Sequence, residues 1–210
     1  MKQRRMNNML KRMLFLILVL SLISAAGCGV ETQIIDGQEG TQTDEKGIDQ
    51  NQTNEIDSAQ IGLINFQTQD IYGNVVNQDI FQDYSLTLVN VWGTFCGPCL
   101  DEMPDLGELQ KEYEPKGVNI VGIVVDVQDE DMEILTDQLE LAKQIASGTG
   151  ADYTHMLITE EMIEAVLNQF DAIPASFFVD SDGNIVSELY IGSRKKEDWV
   201  TIIETAIENQ

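Results

Sequence analysis

Apolar and polar positions alternate and recur through the second two thirds of this chain in a way that marks out successive elements. Ile64-Asn65-Phe66-Gln67-Thr68 alternates and predicts a strand. Asp70-Ile71-Tyr72-Gly73-Asn74 predicts a turn, after which Val75-Val76 resumes extended structure. Leu86 to Trp92 is rich in β-branched and large apolar residues and predicts a central strand. Leu106, Leu109 and Tyr113 then fall on one helical face. Val118 to Val125 is a nearly continuous apolar run of the buried-strand type. Leu135, Leu139, Ala142 and Ala146 recur at helical spacing behind an acidic loop. Tyr153 to Ile158 predicts a strand. Thr159 can cap a helix with Glu160 and Glu161 in its first turn and an apolar stripe of Ile163, Val166, Leu167 and Phe170. Ala175 to Val179 predicts a strand, Ser181 to Asn184 a hairpin turn and Ile185 to Ile191 the returning strand. Trp199, Ile202, Ile203 and Ala206 form the stripe of a terminal helix. The whole predicts an α/β domain over residues 61–210, a central mixed sheet with helices on both faces.

The first 60 residues follow other rules. A basic stretch ends at Arg12, an apolar run extends from Met13 through Ile23, and the small residues Ser24 to Gly27 precede Cys28. The run is short of the roughly 20 apolar residues of a spanning helix, and suits the core of an export signal. Residues 29–60 are rich in Gln, Asn, Thr, Gly and Asp, lack aromatics and sustain no apolar period, which predicts a disordered polar tether.

Charge narrows the list of partners. The 12 basic and 36 acidic residues leave a net charge of -24, and five of the basic residues lie before Cys28. Beyond that point the only basic cluster is Arg194-Lys195-Lys196. Nucleic acid is therefore not an expected partner, since phosphate binding needs a basic stripe. The abundant acids chiefly favour solubility.

The chain has three cysteines, Cys28, Cys96 and Cys99. The last two lie within Val91-Trp92-Gly93-Thr94-Phe95-Cys96-Gly97-Pro98-Cys99, where a predicted strand runs into a predicted helix. Cysteines three apart at a helix start can close a disulfide. Unpaired N–H groups and the positive end of the helix dipole favour a thiolate on the first sulfur. Pro98 fits the first turn, where its missing N–H has no partner to lose. Cys96 is the candidate attacker, exposed at the helix tip, and Cys99 the resolver one turn deeper. Zinc is disfavoured, because one such pair with the single His155 falls short of four ligands. No metal and no cofactor is expected. His155 falls in a strand and is expected to be structural. Glu102 shares a helical face with Cys99. If buried it could trade protons with the pair; otherwise it is an acid that suits an early helical turn. Pro104, inside the same helix, is read as structural.

Two resemblances add to this reading. Ala26-Gly27-Cys28 is similar to the lipobox of bacterial lipoproteins, with Ala25 where that family usually has Leu. It implies acylation of Cys28 and a lipid-anchored protein on the extracytoplasmic face of the cell membrane. Asn90 to Pro104, with Asn90 ahead of the pair and Glu102-Met103-Pro104 after it, resembles the TlpA/ResA family of membrane-tethered thioredoxin-like proteins, over Ile61 to Gln210. That resemblance implies a thioredoxin-like fold, with Asp126 to Asp152 as its helical insertion. It implies a thiol–disulfide oxidoreductase that takes electrons from a membrane-embedded thiol donor and reduces oxidised protein thiols outside the cytoplasm, such as apocytochrome c or a methionine sulfoxide reductase. It favours a functional Glu102 and a cis Ile173-Pro174 bond beside the pair, with Ile173 offering backbone groups to substrate. Trp92 is assigned to the substrate-binding region, as packing that shields the sulfurs. The rival readings are a disulfide oxidase or isomerase and a copper-binding thioredoxin-like lipoprotein, the latter normally with three residues between its cysteines rather than two.

Overall fold

Every residue of β3 (Leu86–Trp92) and of β4 (Val118–Val124) is buried in the computed structural model, which describes residues 62–210. The export segment, Cys28, the tether and Ile61 lie outside those residues. Two such strands, apolar on both faces, must pair with each other and be covered on both sides. They do so in parallel, with Leu86 opposite Val118 and Trp92 opposite Val124.

Around this pair the other elements assemble in chain order. A short hairpin, β1 (Gln67–Gln69) with β2 (Val75–Asn77), precedes β3. Helix α1 (Gly97–Tyr113) follows β3, and α2 (Thr136–Thr149) follows β4. Then come β5 (His155–Leu157), α3 (Glu160–Ala165), β6 (Ala175–Val179), β7 (Tyr190–Ile191) and α4 (Lys196–Glu208). The five-stranded sheet has the order β5-β4-β3-β6-β7, with β6 antiparallel to both neighbours. One face carries α1, α2 and α4 over Leu86, Leu88, Trp92, Ile120 and Phe178, with Leu106, Leu109, Tyr113, Ala142, Trp199 and Ile203 as the helical half of that core. The other face carries Met162 and Val166 together with Leu63, Phe66 and Phe81 of the amino-terminal arm. This is a thioredoxin-like fold.

Four of the expected elements are shorter than their patterns suggested. The first strand begins at Gln67 rather than Ile64, because Asn65 turns the chain through a left-handed conformation at φ 56°. Phe66 is buried but Ile64 is 37% exposed, so the alternation fails at its first apolar position, and Leu63 before it takes the buried place. The strand expected over Tyr153 to Ile158 narrows to His155–Leu157. The helix after Thr159 is capped as expected, the hydroxyl accepting from the Met162 N–H at 3.3 Å, but it ends at Ala165 and a single 3-10 turn over Leu167–Gln169 follows. The returning strand reduces to a bridge at Ile185 and the pair Tyr190–Ile191. Between them the Ser187 hydroxyl accepts the Phe178 N–H at 2.8 Å, so a side chain takes the place of a ladder carbonyl.

A candidate thiol–disulfide exchange site

The end of β3 delivers the pair to the start of α1. Cys96 occupies the N-cap with extended backbone, φ -90° and ψ 93°, and Gly97 and Pro98 begin the helix. The Cys96 Sγ accepts the Cys99 N–H at 3.3 Å, taking the place of the oxygen of an ordinary cap. The Leu100 N–H reaches the Cys96 carbonyl at 3.1 Å and closes the first turn. Cys96 and Cys99 are joined as a disulfide, with their Cα atoms 5.3 Å apart. Cys96 retains 6% exposure, so it does not stand free at the helix tip as expected. The tip is exposed at Phe95, to 73%, and at Gly97 and Pro98. Cys99 is wholly enclosed. The order of accessibility is thus as read, on a smaller scale.

The loop before the pair is clamped by a residue that sequence reasoning left in the acidic loop. Asp126 follows the end of β4, and both its carboxylate oxygens accept the Thr94 N–H, at 3.0 and 3.1 Å. The Thr94 hydroxyl donates to the same carboxylate. An acid close behind a buried strand adjacent to the motif strand was the available signal. On the opposite side stands the cis Ile173-Pro174 segment. The Ile173 carbonyl oxygen lies 3.7 Å from Cys96 Sγ. Ile173 is half-buried and Pro174 buried. A Cβ on Gly93 would lie 2.9 Å from the Phe95 ring and 3.2 Å from the Ile173 side chain, so the absence of a side chain there leaves room for both.

Beneath the pair, one row of residues crosses the sheet. His155 of β5 pairs with Gly122 of β4, Gly122 with Asn90 of β3, and Asn90 with Ser176 of β6. All face α1, since paired residues share a face. Glu102, one turn beyond Cys99 on α1, is 2% exposed and reaches down to this row. Its Oε1 accepts from Asn90 Nδ2 at 2.8 Å and its Oε2 from the Arg194 N–H at 3.0 Å. Asn90 Nδ2 also approaches the Ser176 hydroxyl at 3.1 Å. Burial pushes the Glu102 carboxyl above its ordinary range, against the pull of the Arg194 N–H and the Asn90 amide. The Trp199 indole N–H, which has no full hydrogen-bond partner, adds a weaker attraction to the same carboxyl.

Trp92 is fully buried, so it has no surface to offer a substrate in this state. Its indole N–H donates to His155 Nδ1 at 3.1 Å, and His155 Nε2 donates to the Ala151 carbonyl at 2.9 Å. Those two bonds fix the imidazole as the neutral tautomer with its proton on Nε2. Burial lowers its pKa to about 4. A Cβ on Gly122 would lie 2.3 Å from His155 Nδ1. A glycine inside a strand was the signal for this close approach.

The geometry is that of a dithiol pair able to open and close. One sulfur lies at a helix N-terminus, where a thiolate is favoured, and its partner is enclosed behind it. Residues 61–207 match the Redoxin family. The chain belongs to this family. Among its relatives is the thiol-disulfide oxidoreductase ResA of Bacillus thuringiensis subsp. konkukian, 31% identical over 133 residues that cover 63% of this chain and 69% of the relative. ResA of Geobacillus kaustophilus is 29% identical over 52% of this chain and 56% of its own. Among solved structures, a thiol:disulfide interchange protein of Chlorobium tepidum superposes with TM-score 0.57 at 28% identity, covering 71% of this chain and 98% of that one. A secreted Mycobacterium tuberculosis disulfide oxidoreductase shares the fold with TM-score 0.52 at 16% identity, covering 67% and 95%. This redoxin is a ResA-type thiol–disulfide oxidoreductase.

Proposed function

We propose that this oxidoreductase is a lipid-anchored reductase of protein disulfides on the extracytoplasmic face of the membrane, with Cys96 as attacker and Cys99 as resolver. The observation that carries the division of labour is Cys96 at the N-cap of α1 with residual exposure, ahead of a wholly enclosed Cys99. In the reduced enzyme the Cys96 thiolate attacks one sulfur of a substrate disulfide. A Cys96–substrate bond forms, the substrate S–S bond breaks, and the departing thiolate takes a proton. Cys99 then loses its proton and attacks Cys96 Sγ. The mixed disulfide breaks, the second substrate thiol is released, and the enzyme disulfide forms. The substrate gains two electrons and two protons, and a membrane-embedded thiol donor restores the dithiol.

Glu102 is assigned the proton exchange with the pair, as a buried carboxyl one turn past Cys99 whose acidity is already weakened. Ile173 and Pro174 are assigned to the substrate edge, where an extended segment can pair with the backbone beside Cys96. Trp92 is assigned to that region as support beneath the sulfurs. The reducing direction rests on Gly97-Pro98 between the cysteines, the pattern of thioredoxins whose potentials lie near about -270 mV. The location rests on the export-type segment 1–28, on Cys28 in its lipobox-like setting and on the polar stretch 29–60. The family match starting at residue 61, where the folding pattern begins, supports that division into signal, tether and domain. Among the described residues no helix is long and apolar enough to cross a membrane.

A Cys99→Ala variant should attack substrate and stall, accumulating a covalent adduct with its natural partner that non-reducing electrophoresis resolves and mass spectrometry identifies. Cys96→Ala should trap nothing and lose disulfide reduction. A stronger trap in Cys96→Ala would reverse the two roles.

A further inference from the structure

Residues 192–196, running from the end of β7 into the first residue of α4, pack on the cis-proline segment and on the helix of the pair, yet the exchange chemistry does not use their side chains. Their backbone is pinned at three points. The Gly192 N–H donates to the Pro174 carbonyl at 2.8 Å, the Arg194 N–H to Glu102 at 3.0 Å and the Lys196 N–H to Asp105 at 3.0 Å. The loop is thereby fixed both to the cis-proline segment and to the helix that carries the cysteines. The Arg194 side chain is also held. Its Nη1 donates to the Gly192 carbonyl at 2.7 Å, and its guanidinium carbon lies 5.2 and 5.4 Å from the ring centres of Tyr190 and Trp199. Lys195 is exposed beside it.

Charge makes this loop unusual. Six cations occur among the described residues, and four of them face an acid: Lys111 with Asp152, Lys116 with Glu112, Lys143 with Glu140 and Lys196 with Glu108. Arg194 and Lys195 have no acid in salt-bridge contact among the described residues. In a chain of 36 acidic and 12 basic residues, an anionic segment is repelled almost everywhere. Among the described residues these are the two cations without a salt-bridge partner, though the Arg194 charge also acts on the buried Glu102 carboxyl. They stand next to the dithiol helix on a backbone already ordered, so little entropy is lost on engaging them.

We infer that Arg194 and Lys195 are specificity-determining residues that receive an acidic segment flanking the target cysteine of the partner protein. The inference rests on Cys96–Cys99 being the exchange pair. The guanidinium keeps donors free beyond Nη1 for a carboxylate, and Lys195 adds a mobile point charge. The contact steers encounter and register and takes no part in bond making.

The test uses the reduced full-length protein and two synthetic disulfide peptides that differ only in carrying Glu-Glu or Gln-Gln beside the disulfide. The readout is the ratio of their second-order rates. At low ionic strength the acidic peptide should react about fivefold faster, and the ratio should fall toward one in about 0.5 M salt. Lys195→Glu and Arg194→Glu should each drive the ratio below one. Lys143→Glu, the same charge change on α2, should leave it in place. Equal rates for the two peptides in the native enzyme, or an equal response to Lys143→Glu, would overturn the inference while leaving the exchange pair intact. Failure of both peptides to react would instead overturn the exchange reading itself. A Lys195-dependent preference for phosphatidylglycerol over phosphatidylcholine vesicles, with no peptide preference, would assign the loop to a membrane surface and also overturn the inference.

Discussion

The two ends of the polar row beneath α1 treat buried titratable groups in opposite ways. At the β5 end, His155 is closed on both sides, receiving the Trp92 indole proton and giving its own to Ala151. No capacity is left over, and the ring is a strut under Trp92. At the β3–β6 end, Glu102 is ringed by groups that remain partly unmet. Asn90 Oδ1 and Trp199 Nε1 are buried without partners, and the Asn90 amide and the Trp199 indole both act on Glu102 itself. Burial drives both groups toward their neutral forms. The closed end therefore serves structure. The open end keeps the capacity to change protonation beside a redox pair. What separates them is not depth but hydrogen-bond completeness.

The most damaging way to break this comparison is to crowd its closed end. Gly122→Ala would place a methyl against His155 Nδ1 and close to Trp92 Nε1. It should cost about 3 kcal/mol or more in urea unfolding, as overpacking combined with a lost buried hydrogen bond. A loss below about 1 kcal/mol would mean that the row adjusts freely and His155 is not tightly held.

The second effect is in the pH dependence of the closed end. Unfolded, the imidazole holds its proton up to about pH 6.5; folded, only below about 4. Between these values the unfolded chain binds more protons, so stability is present in full above about 6.5 and is lost as pH falls through that window. The shift corresponds to roughly 3 kcal/mol. Urea midpoints from pH 4 to 7 should rise with pH, and His155→Gln should remove most of that slope. Parallel slopes in the two proteins would show that other groups set it.

Smallest, and opposite in sign, is the open end. The Glu102 carboxyl is raised in the folded state, so there the folded protein holds the extra proton. Stability falls as pH rises from the ordinary carboxylate value through the raised one. Glu102→Gln should remove this fall and steepen the net rise measured above. In the reduced enzyme it should also shift the thiol alkylation profile toward lower pH, because a nearby anion no longer opposes thiolate formation. If neither the stability slope nor the alkylation profile moves, Glu102 is a helix residue and the asymmetry of the two ends has no chemical consequence.

Much of this was legible beforehand where local signals and global packing agree. Leu86 to Trp92 is a strand over its whole predicted length because five apolar residues among seven, on both faces, have no competing arrangement, and Thr87 and Asn90 are buried with them. The motif lies across a strand-to-helix junction because Gly97 and Pro98 suit a first turn and Cys96 can cap it. Failures came where pairing depended on a distant partner. Ile185 to Ile191 has the residues of a strand, but Ser187 captured a ladder donor and only two residues pair as a strand at its far end. Asp126 could be placed behind a buried strand but not joined to Thr94, which lies 32 positions away.

Sequence alone determined the order of elements, the pair of cysteines at a helix start and the acid one turn behind them. These depend on neighbours a few residues apart, whose spacing the chain itself sets. Tertiary structure alone decided that Glu102 is enclosed, that Trp92 faces inward against His155, and that Arg194 and Lys195 have no salt-bridge partner among the described residues. Burial and charge pairing are properties of what the rest of the chain brings alongside, over separations from 63 to 92 residues here, and periodicity carries no record of such meetings.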